Sequence, residues 1–219
     1  MTKKAYLSDP RLTGMMKITD IIMGPRPIIR VAETWFHVQG GGQLADRGRI
    51  GGIEILEVKN AEKGEVDHFV TSLEGVDIGQ DLSFAVDAEF RSMNSRLHTA
   101  GHLLAAIVEE NCPGTRAVSG HHWPGECRVE FEIEGGQYLS INGDEIAALV
   151  NQAISDDLPV AIEGDPYAAR ACRISLYRPI PCGGTHVRST GAIGSLEVRG
   201  IKQKSGKLKI GYNIQTEKS

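Results

Sequence analysis

The sequence predicts an α+β protein in which a small N-terminal β-barrel precedes an α+β domain. Three observations support this class. Short apolar stretches separated by glycines fill the first ninety residues, and apolar residues at helical spacing begin near Arg91. Beyond that point lie two compact histidine-bearing motifs. Because the pattern changes near residue 90, we predict two domains, residues 1–90 and 91–219.

The N-terminal part is predicted to be built from short strands. Strands of this length between frequent glycines are typical of a small barrel or sandwich. The candidate strands are residues 16–23, 28–31, 34–38, 50–59, 66–73 and 82–88. The fourth and fifth of them read as a hairpin closed near Lys63-Gly64.

The C-terminal part mixes helices and strands. A helix is predicted over residues 92–110, with Leu97, Leu104, Ala105 and Val108 on its buried face, and it ends at Pro113-Gly114. A second amphipathic helix is predicted over residues 142–156. The remaining candidate strands are 128–133, 160–163 and 172–177, followed by a closing hairpin of residues 193–203 and 208–214.

The two histidine-bearing motifs are His98-Thr99-Ala100-Gly101-His102 and Cys182-Gly183-Gly184-Thr185-His186. On a helix, residues i and i+4 share a face, so the first pair of imidazoles can reach one ion. The second motif reads as a glycine-rich loop that can fold back towards that helix. Three imidazoles and one thiolate suit Zn²⁺, so we predict one zinc ion bound by His98, His102, Cys182 and His186.

Zinc would activate a water molecule and polarise a carbonyl, which are the two needs of ester hydrolysis. Zinc peptidases carry a glutamate base in His-Glu-x-x-His, but Thr99 stands at that position here. No side-chain base is identified, so the substrate should be more labile than a peptide, such as an aminoacyl ester. Four protein ligands could also close the site and make it structural, and the sequence leaves both readings open.

Composition limits the class of protein. A hydrophobic fraction of 41% fits a globular chain, and neither a secretory signal nor an apolar run of membrane-spanning length is present, so we expect a cytoplasmic protein without a membrane partner. Four scattered cysteines do not indicate a disulfide scaffold. The net charge of −4 argues against indiscriminate nucleic-acid binding. It still allows a local basic patch, for which the candidates are Arg199, Lys202, Lys204, Lys207 and Lys209.

A third informative segment, Gly40-Gly41-Gly42-Gln43, is followed by Asp46-Arg47-Gly48. Three adjacent glycines permit positive φ angles and close approach of the backbone to a partner. The segment lacks the strand-to-helix context of a nucleotide-binding loop, so we do not interpret it as one.

Together these motifs resemble the alanyl-tRNA editing family, which comprises the free-standing AlaX proteins and the editing domain of alanyl-tRNA synthetase. The resemblance rests on the segments 96–104 and 181–187, the glycine-rich segment, and the closing residues 201–207 with Tyr212. It implies a longer AlaX form, with an N-terminal barrel before the zinc-containing editing domain. It also implies trans-acting hydrolysis of Ser-tRNA(Ala), and of Gly-tRNA(Ala) as a second substrate, with mischarged tRNA(Ala) as the partner and no obligate protein partner.

Carried over by position, the family's zinc ligands are again His98, His102, Cys182 and His186. The resemblance places substrate contacts at Gly41, Gly42, Gln43, Asp46, Ser119, Gly120, Gly184 and Thr185. Of these, Ser119 and Gly120 lie in a loop near residues 117–122. We expect tRNA contacts at Lys202 and Lys204. The chain departs from the family at Leu44, where proline is usual, and at Gly101, which should widen the pocket or weaken the helix.

Two other functions remain open on the sequence. The same chemistry could serve Ser-tRNA(Thr), since threonyl-tRNA synthetase editing domains share the layout of two motifs. Alternatively, a closed set of four ligands would suit a non-catalytic zinc-containing module that binds RNA.

Overall fold

The computed structural model describes residues 1–215, which combine helices with β-sheets. It divides into two compact units. The first consists of residues 1–40 and 44–92, and the second consists of residues 41–43 and the described residues from Met93 onward. The glycine-rich residues 41–43 thus belong to the second unit. No helix in the described part of the chain is long and apolar enough to cross a membrane.

The first unit contains a closed six-stranded barrel. Its strands follow the order β2-β3-β7-β6-β5-β8, and β1 pairs in parallel with β4 beside it. The strands are β1 Lys3–Lys4, β2 Thr13–Ile22, β3 Ile28–Val31, β4 Glu33–Thr34, β5 Gly48–Ile50, β6 Ile53–Asn60, β7 Val66–Val70 and β8 Asp81–Val86. Alternate residues such as Met16, Ile18 and Ile29 point into its core, as the period of a strand requires.

Two strand predictions in this unit are wrong in detail. The stretch 50–59 is two strands, because Gly51 and Gly52 adopt φ angles of 59° and 84° and turn the chain between β5 and β6. The apolar stretch 34–38 contributes only Thr34 to a strand, and Phe36 packs into the core without joining the sheet. Apolar residues in a short run indicate burial but do not distinguish a strand from a buried loop.

The second unit contains most of the long helix and two sheets. Helix α1 is Ala88–Asn111 and helix α2 is Gly143–Ser155. One sheet has the order β14-β15-β10-β9 and the other β11-β12-β13. The strands are β9 Thr115–His121, β10 Arg128–Ile133, β11 Val160–Glu163, β12 Ala171–Ile174, β13 Ile180–Pro181, β14 Ser195–Lys204 and β15 Lys207–Gln215.

The core of the second unit lies under α1. Leu97, Leu104, Ala105 and Val108 are buried there as the helical spacing predicts, together with Phe131 of β10. The closing hairpin turns at Ser205 and Gly206, whose φ angles are 52° and 72°. The loop expected near residues 117–122 is instead largely strand β9, which pairs with β10 across a bulge.

Candidate metal centre

Four side chains that can bind a metal converge in the second unit. His98 and His102 lie one turn apart on α1 and are 1% and 8% exposed. Cys182 and His186 lie in the segment after β13. One ligand atom from each of the four residues lies within 4.8 Å of every other. The structure therefore brings together the four residues that the sequence selects as ligands, and they could hold one metal ion.

Two of the spacings between these atoms are close to those found around a zinc ion. Cys182 Sγ lies 3.6 Å from His98 Nε2 and 3.2 Å from His186 Nε2. Tetrahedral zinc with bonds of about 2.0–2.3 Å separates its ligand atoms by about 3.3–3.8 Å. Three nitrogens and one sulfur are also a donor set that zinc prefers.

Gln43 fixes the orientation of His98. Its Oε1 accepts from the backbone N–H of Thr185 at 2.9 Å, and its Nε2 donates to Thr185 Oγ1 at 2.8 Å, so the amide has one orientation. The same Oε1 lies 2.7 Å from His98 Nδ1, which must then be the donor. His98 Nε2 is left with its lone pair, on the side of Cys182.

Thr99 fixes the orientation of His186. Its hydroxyl donates to the backbone oxygen of Ser95 at 2.8 Å, so His186 Nδ1, 3.1 Å away, donates to Thr99 Oγ1. The backbone N–H of Val187 also donates to this oxygen, at 3.2 Å. The sequence shows only that Thr99 is not a carboxylate. Its role as a partner of His186 was missed, because the two residues are 87 positions apart.

Burial controls the charge of the cluster. It lowers the pKa of His102 to about 4, with a smaller contribution from the cation of Arg170. His102 Nδ1 is buried and has no hydrogen-bond partner in the part of the chain that the structure describes. Burial likewise raises the pKa of the Cys182 thiol, an effect opposed by the N–H of Gly184 and by Arg170. A partly buried thiol with a raised pKa loses its proton readily only when a cation is bound.

A cavity of about 400 Å³ opens beside the cluster. Of the residues predicted to contact substrate, Gly41, Gly42, Ser119 and Gly120 line this cavity. Gln43 and Thr185 are bonded to each other, and Gly184 packs against the His98 ring so closely that a Cβ there would lie 2.1 Å from it. The candidate ligands His98, His102 and Cys182 also line the cavity, so a molecule bound there can reach them.

Asp46 lies in the first unit. It is 2% exposed and forms a buried ion pair with Arg91, whose Nε lies 2.9 Å from both carboxylate oxygens. The backbone N–H of His37 donates to the same carboxylate. The carboxylate is thus held by the Arg91 guanidinium and the His37 N–H, both in the first unit, and its predicted contact with substrate stays a prediction.

His122 is a cavity residue that the sequence did not single out. It follows β9 and is 3% exposed, and burial lowers its pKa to about 3. The side chain occupies the space beside Gly101, where a Cβ would lie 2.2 Å from His122 Cε1. The expected wider pocket at Gly101 is therefore filled by an imidazole. The pair His121-His122 after Gly120 was the available signal, but nothing local shows which of the two faces inward.

The predicted basic patch lies on the closing hairpin. Lys202 and Lys204 of β14 stand opposite Lys209 and Lys207 of β15, and all four are exposed on one face. Directly opposed like charges repel each other, and within residues 1–215 Lys209 is the one of the four with an ion pair, to Glu130 at 2.7 Å. Glu130 and Glu132 of β10 stand opposite Lys209 and Lys207, so this face is basic at Lys202 and Lys204 and of mixed charge beside β10.

Comparison with known proteins places the chain in a family. It is 31% identical over 204 residues to alanyl-tRNA editing protein AlaX-M of Pyrococcus horikoshii, covering 90% of each protein. It is 29% identical to AlaX-L of the same organism, covering 56% of that protein, and 32% identical to an alanine–tRNA ligase of a Nocardioides species, of which it spans 21%. No family model matches the chain. The chain belongs to the AlaX family of alanyl-tRNA editing proteins.

Proposed function

We propose that this protein is a zinc-dependent aminoacyl-tRNA deacylase that removes serine from mischarged tRNA(Ala) in trans, with Gly-tRNA(Ala) as a second substrate. The observation that carries the proposal is that three of the four cluster residues line an open cavity. A purely structural zinc site is enclosed by its ligands and need not face a cavity. The names of the relatives, which are editing proteins and ligases for alanyl-tRNA, supply the class of substrate.

His98, His102, Cys182 and His186 would hold the zinc ion. When bound, zinc supplies a Lewis acid that polarises an ester carbonyl and acidifies water. The protein's own part is to fix the ligand geometry. Gln43 and Thr99 turn the imidazoles of His98 and His186 so that the correct nitrogen faces the cluster. Partners of this kind commonly change metal affinity or activity about 10–100-fold when removed.

The cavity suits an aminoacyl ester more than a peptide. None of the described residues that line it is a carboxylate, so it offers no side chain of the kind that serves zinc peptidases as a base. An aminoacyl ester of tRNA is more reactive than an amide and carries a neighbouring ribose hydroxyl. Gly41 and Gly42 form part of the wall without side chains, which lets backbone approach the bound ester closely.

The tRNA would approach over the closing hairpin. Lys202 and Lys204 are exposed on a face that carries four lysines, and we assign them to phosphate contacts. Such contacts make affinity fall steeply as the salt concentration rises.

The test is deacylation by the purified, zinc-loaded protein of Ser-tRNA(Ala), Gly-tRNA(Ala), Ala-tRNA(Ala) and Ser-tRNA(Thr). The proposal expects hydrolysis of the first two and slow turnover of the others. Equal rates on Ser-tRNA(Ala) and Ala-tRNA(Ala) would contradict the proposed specificity for serine. Faster turnover of Ser-tRNA(Thr) would identify tRNA(Thr) as the substrate. No hydrolysis of any substrate by a metal-replete protein would favour a non-catalytic RNA-binding module.

A further inference from the structure

The metal cavity contains a buried imidazole outside the ligand cluster. His122 stacks on His98, with ring centroids 4.8 Å apart and an angle of 25° between the planes. Its backbone N–H donates to Gly42 O at 2.8 Å, which anchors it to the glycine-rich segment. The ring is therefore held beside the cluster by contacts on two sides.

Two glycines make the space that this ring occupies. A Cβ at Gly101 of α1 would lie 2.2 Å from His122 Cε1, and a Cβ at Gly120 of β9 would lie 2.4 Å from His122 Nε2. Both φ angles are ordinary, so the requirement for glycine is one of space and not of backbone conformation. Any larger residue at either position displaces the imidazole.

The hydrogen bonds of His122 determine which nitrogen carries the proton. Tyr212 Oη donates to the backbone oxygen of Leu97 at 2.8 Å, so its hydrogen is already used. His122 Nδ1, 2.7 Å from the same oxygen, must be the donor to it. His122 Nε2 then carries a lone pair and has no hydrogen-bond partner in residues 1–215.

His122 lines the cavity, so a ligand bound there can donate to this acceptor, for which no group in residues 1–215 competes. The ring is uncharged, because a buried imidazolium would need a counter-charge that the cavity wall does not supply. An uncharged acceptor suits an uncharged donor such as a hydroxyl. It does little to compensate the charge of the α-ammonium group, which every aminoacyl ester shares.

We propose that His122 Nε2 accepts a hydrogen bond from the side-chain hydroxyl of the seryl group, so that His122 selects serine over alanine at this site. The proposal rests on the proposed function. An alanyl group presents a methyl to the same nitrogen and leaves it unpaired. Sites built to bond a substrate hydroxyl reject the analogue that lacks it far better than apolar pockets separate similar side chains.

Two variants of similar size separate the roles of the two nitrogens. His122→Asn keeps an amide near the position of Nδ1, where it can donate to Tyr212, and removes the acceptor at Nε2. His122→Gln places an amide near Nε2. We expect His122→Asn to lower the ratio of kcat/KM for Ser-tRNA(Ala) to that for Ala-tRNA(Ala) by at least tenfold, and His122→Gln to restore part of it.

Binding of substrate analogues gives a readout that does not depend on turnover. Seryl and alanyl 3′-amides of 3′-amino-3′-deoxyadenosine cannot be hydrolysed as esters, and their affinities can be measured by calorimetry on the intact protein. The wild type should bind the seryl amide at least tenfold more tightly, and His122→Asn should bind the two about equally. If the wild type hydrolyses neither ester, the proposed function is wrong. The binding comparison still tests whether His122 selects the seryl group.

Three results would overturn the assignment of His122. A seryl preference in His122→Asn within twofold of the wild type would show that another group selects serine. If His122→Asn loses activity equally on Ser-, Gly- and Ala-tRNA(Ala), then Nε2 binds the α-ammonium group that all three esters share. A Ser119→Ala variant that loses the preference, while His122→Asn retains it, would assign selection to the Ser119 hydroxyl.

Discussion

Gln43 Oε1 lies 2.7 Å from His98 Nδ1, although the two residues are 55 positions apart. The amide is fixed by two bonds to Thr185, a residue of the second histidine-bearing motif. The glycine-rich segment is thereby tied to both motifs that carry the candidate metal ligands. One side chain thus sets the tautomer of His98 and the position of the segment that holds Cys182.

Replacing Gln43 with alanine should weaken zinc binding about 10–100-fold, because His98 Nδ1 loses the acceptor that orients the ring. Competition with a chromogenic chelator measures the Kd. Gln39→Ala is the matched control, since Gln39 is an exposed glutamine four residues away, and its zinc affinity should equal that of the wild type. Equal affinities for the two variants would show that Gln43 does not position His98.

Thr99→Val should also weaken zinc binding, by about tenfold or more, since it removes the oxygen that accepts from His186 Nδ1 and from the N–H of Val187. Valine keeps the shape of threonine, so the change isolates the hydroxyl. Thr99→Ser keeps the hydroxyl and should retain most of the affinity. The idea fails if valine binds zinc as tightly as serine does.

Gly41 and Gly42 should differ sharply in their tolerance of alanine. Both have positive φ angles, 58° and 77°, which cost an alanine about 1–2 kcal/mol. At Gly41 a Cβ meets nothing within 4 Å, whereas at Gly42 it would lie 2.2 Å from Gly120 O. Gly42→Ala must therefore move the segment that anchors His122. We expect a clearly lower melting temperature and lost deacylation for Gly42→Ala, and a small loss for Gly41→Ala. Indistinguishable variants would contradict the packing described at Gly120.

His68 should make the first unit less stable in mild acid. It is fully buried, with Nδ1 donating to Ile29 O and Nε2 accepting from Thr34, and burial lowers its pKa from 6.5 to about 4. Between these values the unfolded chain binds a proton that the folded chain does not, so stability falls as the pH drops from 6.5 to 4. The loss approaches about 3 kcal/mol at the lower end.

Urea unfolding at pH 7, 6 and 5 measures this loss. Trp35 reports on the first unit when the other tryptophan is removed by Trp123→Phe. His68→Gln cannot take up the proton and should show a shallower dependence of unfolding free energy on pH. The same pH dependence in both proteins would mean that His68 is not the group responsible.

The sequence brings out the candidate metal ligands more readily than the residues that support them. His98 and His102 are recognisable because helical spacing puts i and i+4 on one face, and the Cys182–His186 motif is similarly local. Thr99, Gln43 and His122 act through partners 55–90 positions away, and no local pattern encodes such pairs. Phe36 shows that local pattern has the same limit in the fold. The apolar run around it predicts a strand, whereas the structure buries Phe36 in an irregular segment.

The central claim is that His98, His102, Cys182 and His186 bind one zinc ion together. Zinc K-edge X-ray absorption of the purified protein tests it most directly. We predict one zinc per chain, with one sulfur at about 2.3 Å and nitrogens at about 2.0 Å, and loss of the sulfur shell in Cys182→Ala. A folded, active protein that binds no zinc, or zinc without a sulfur ligand, would contradict it.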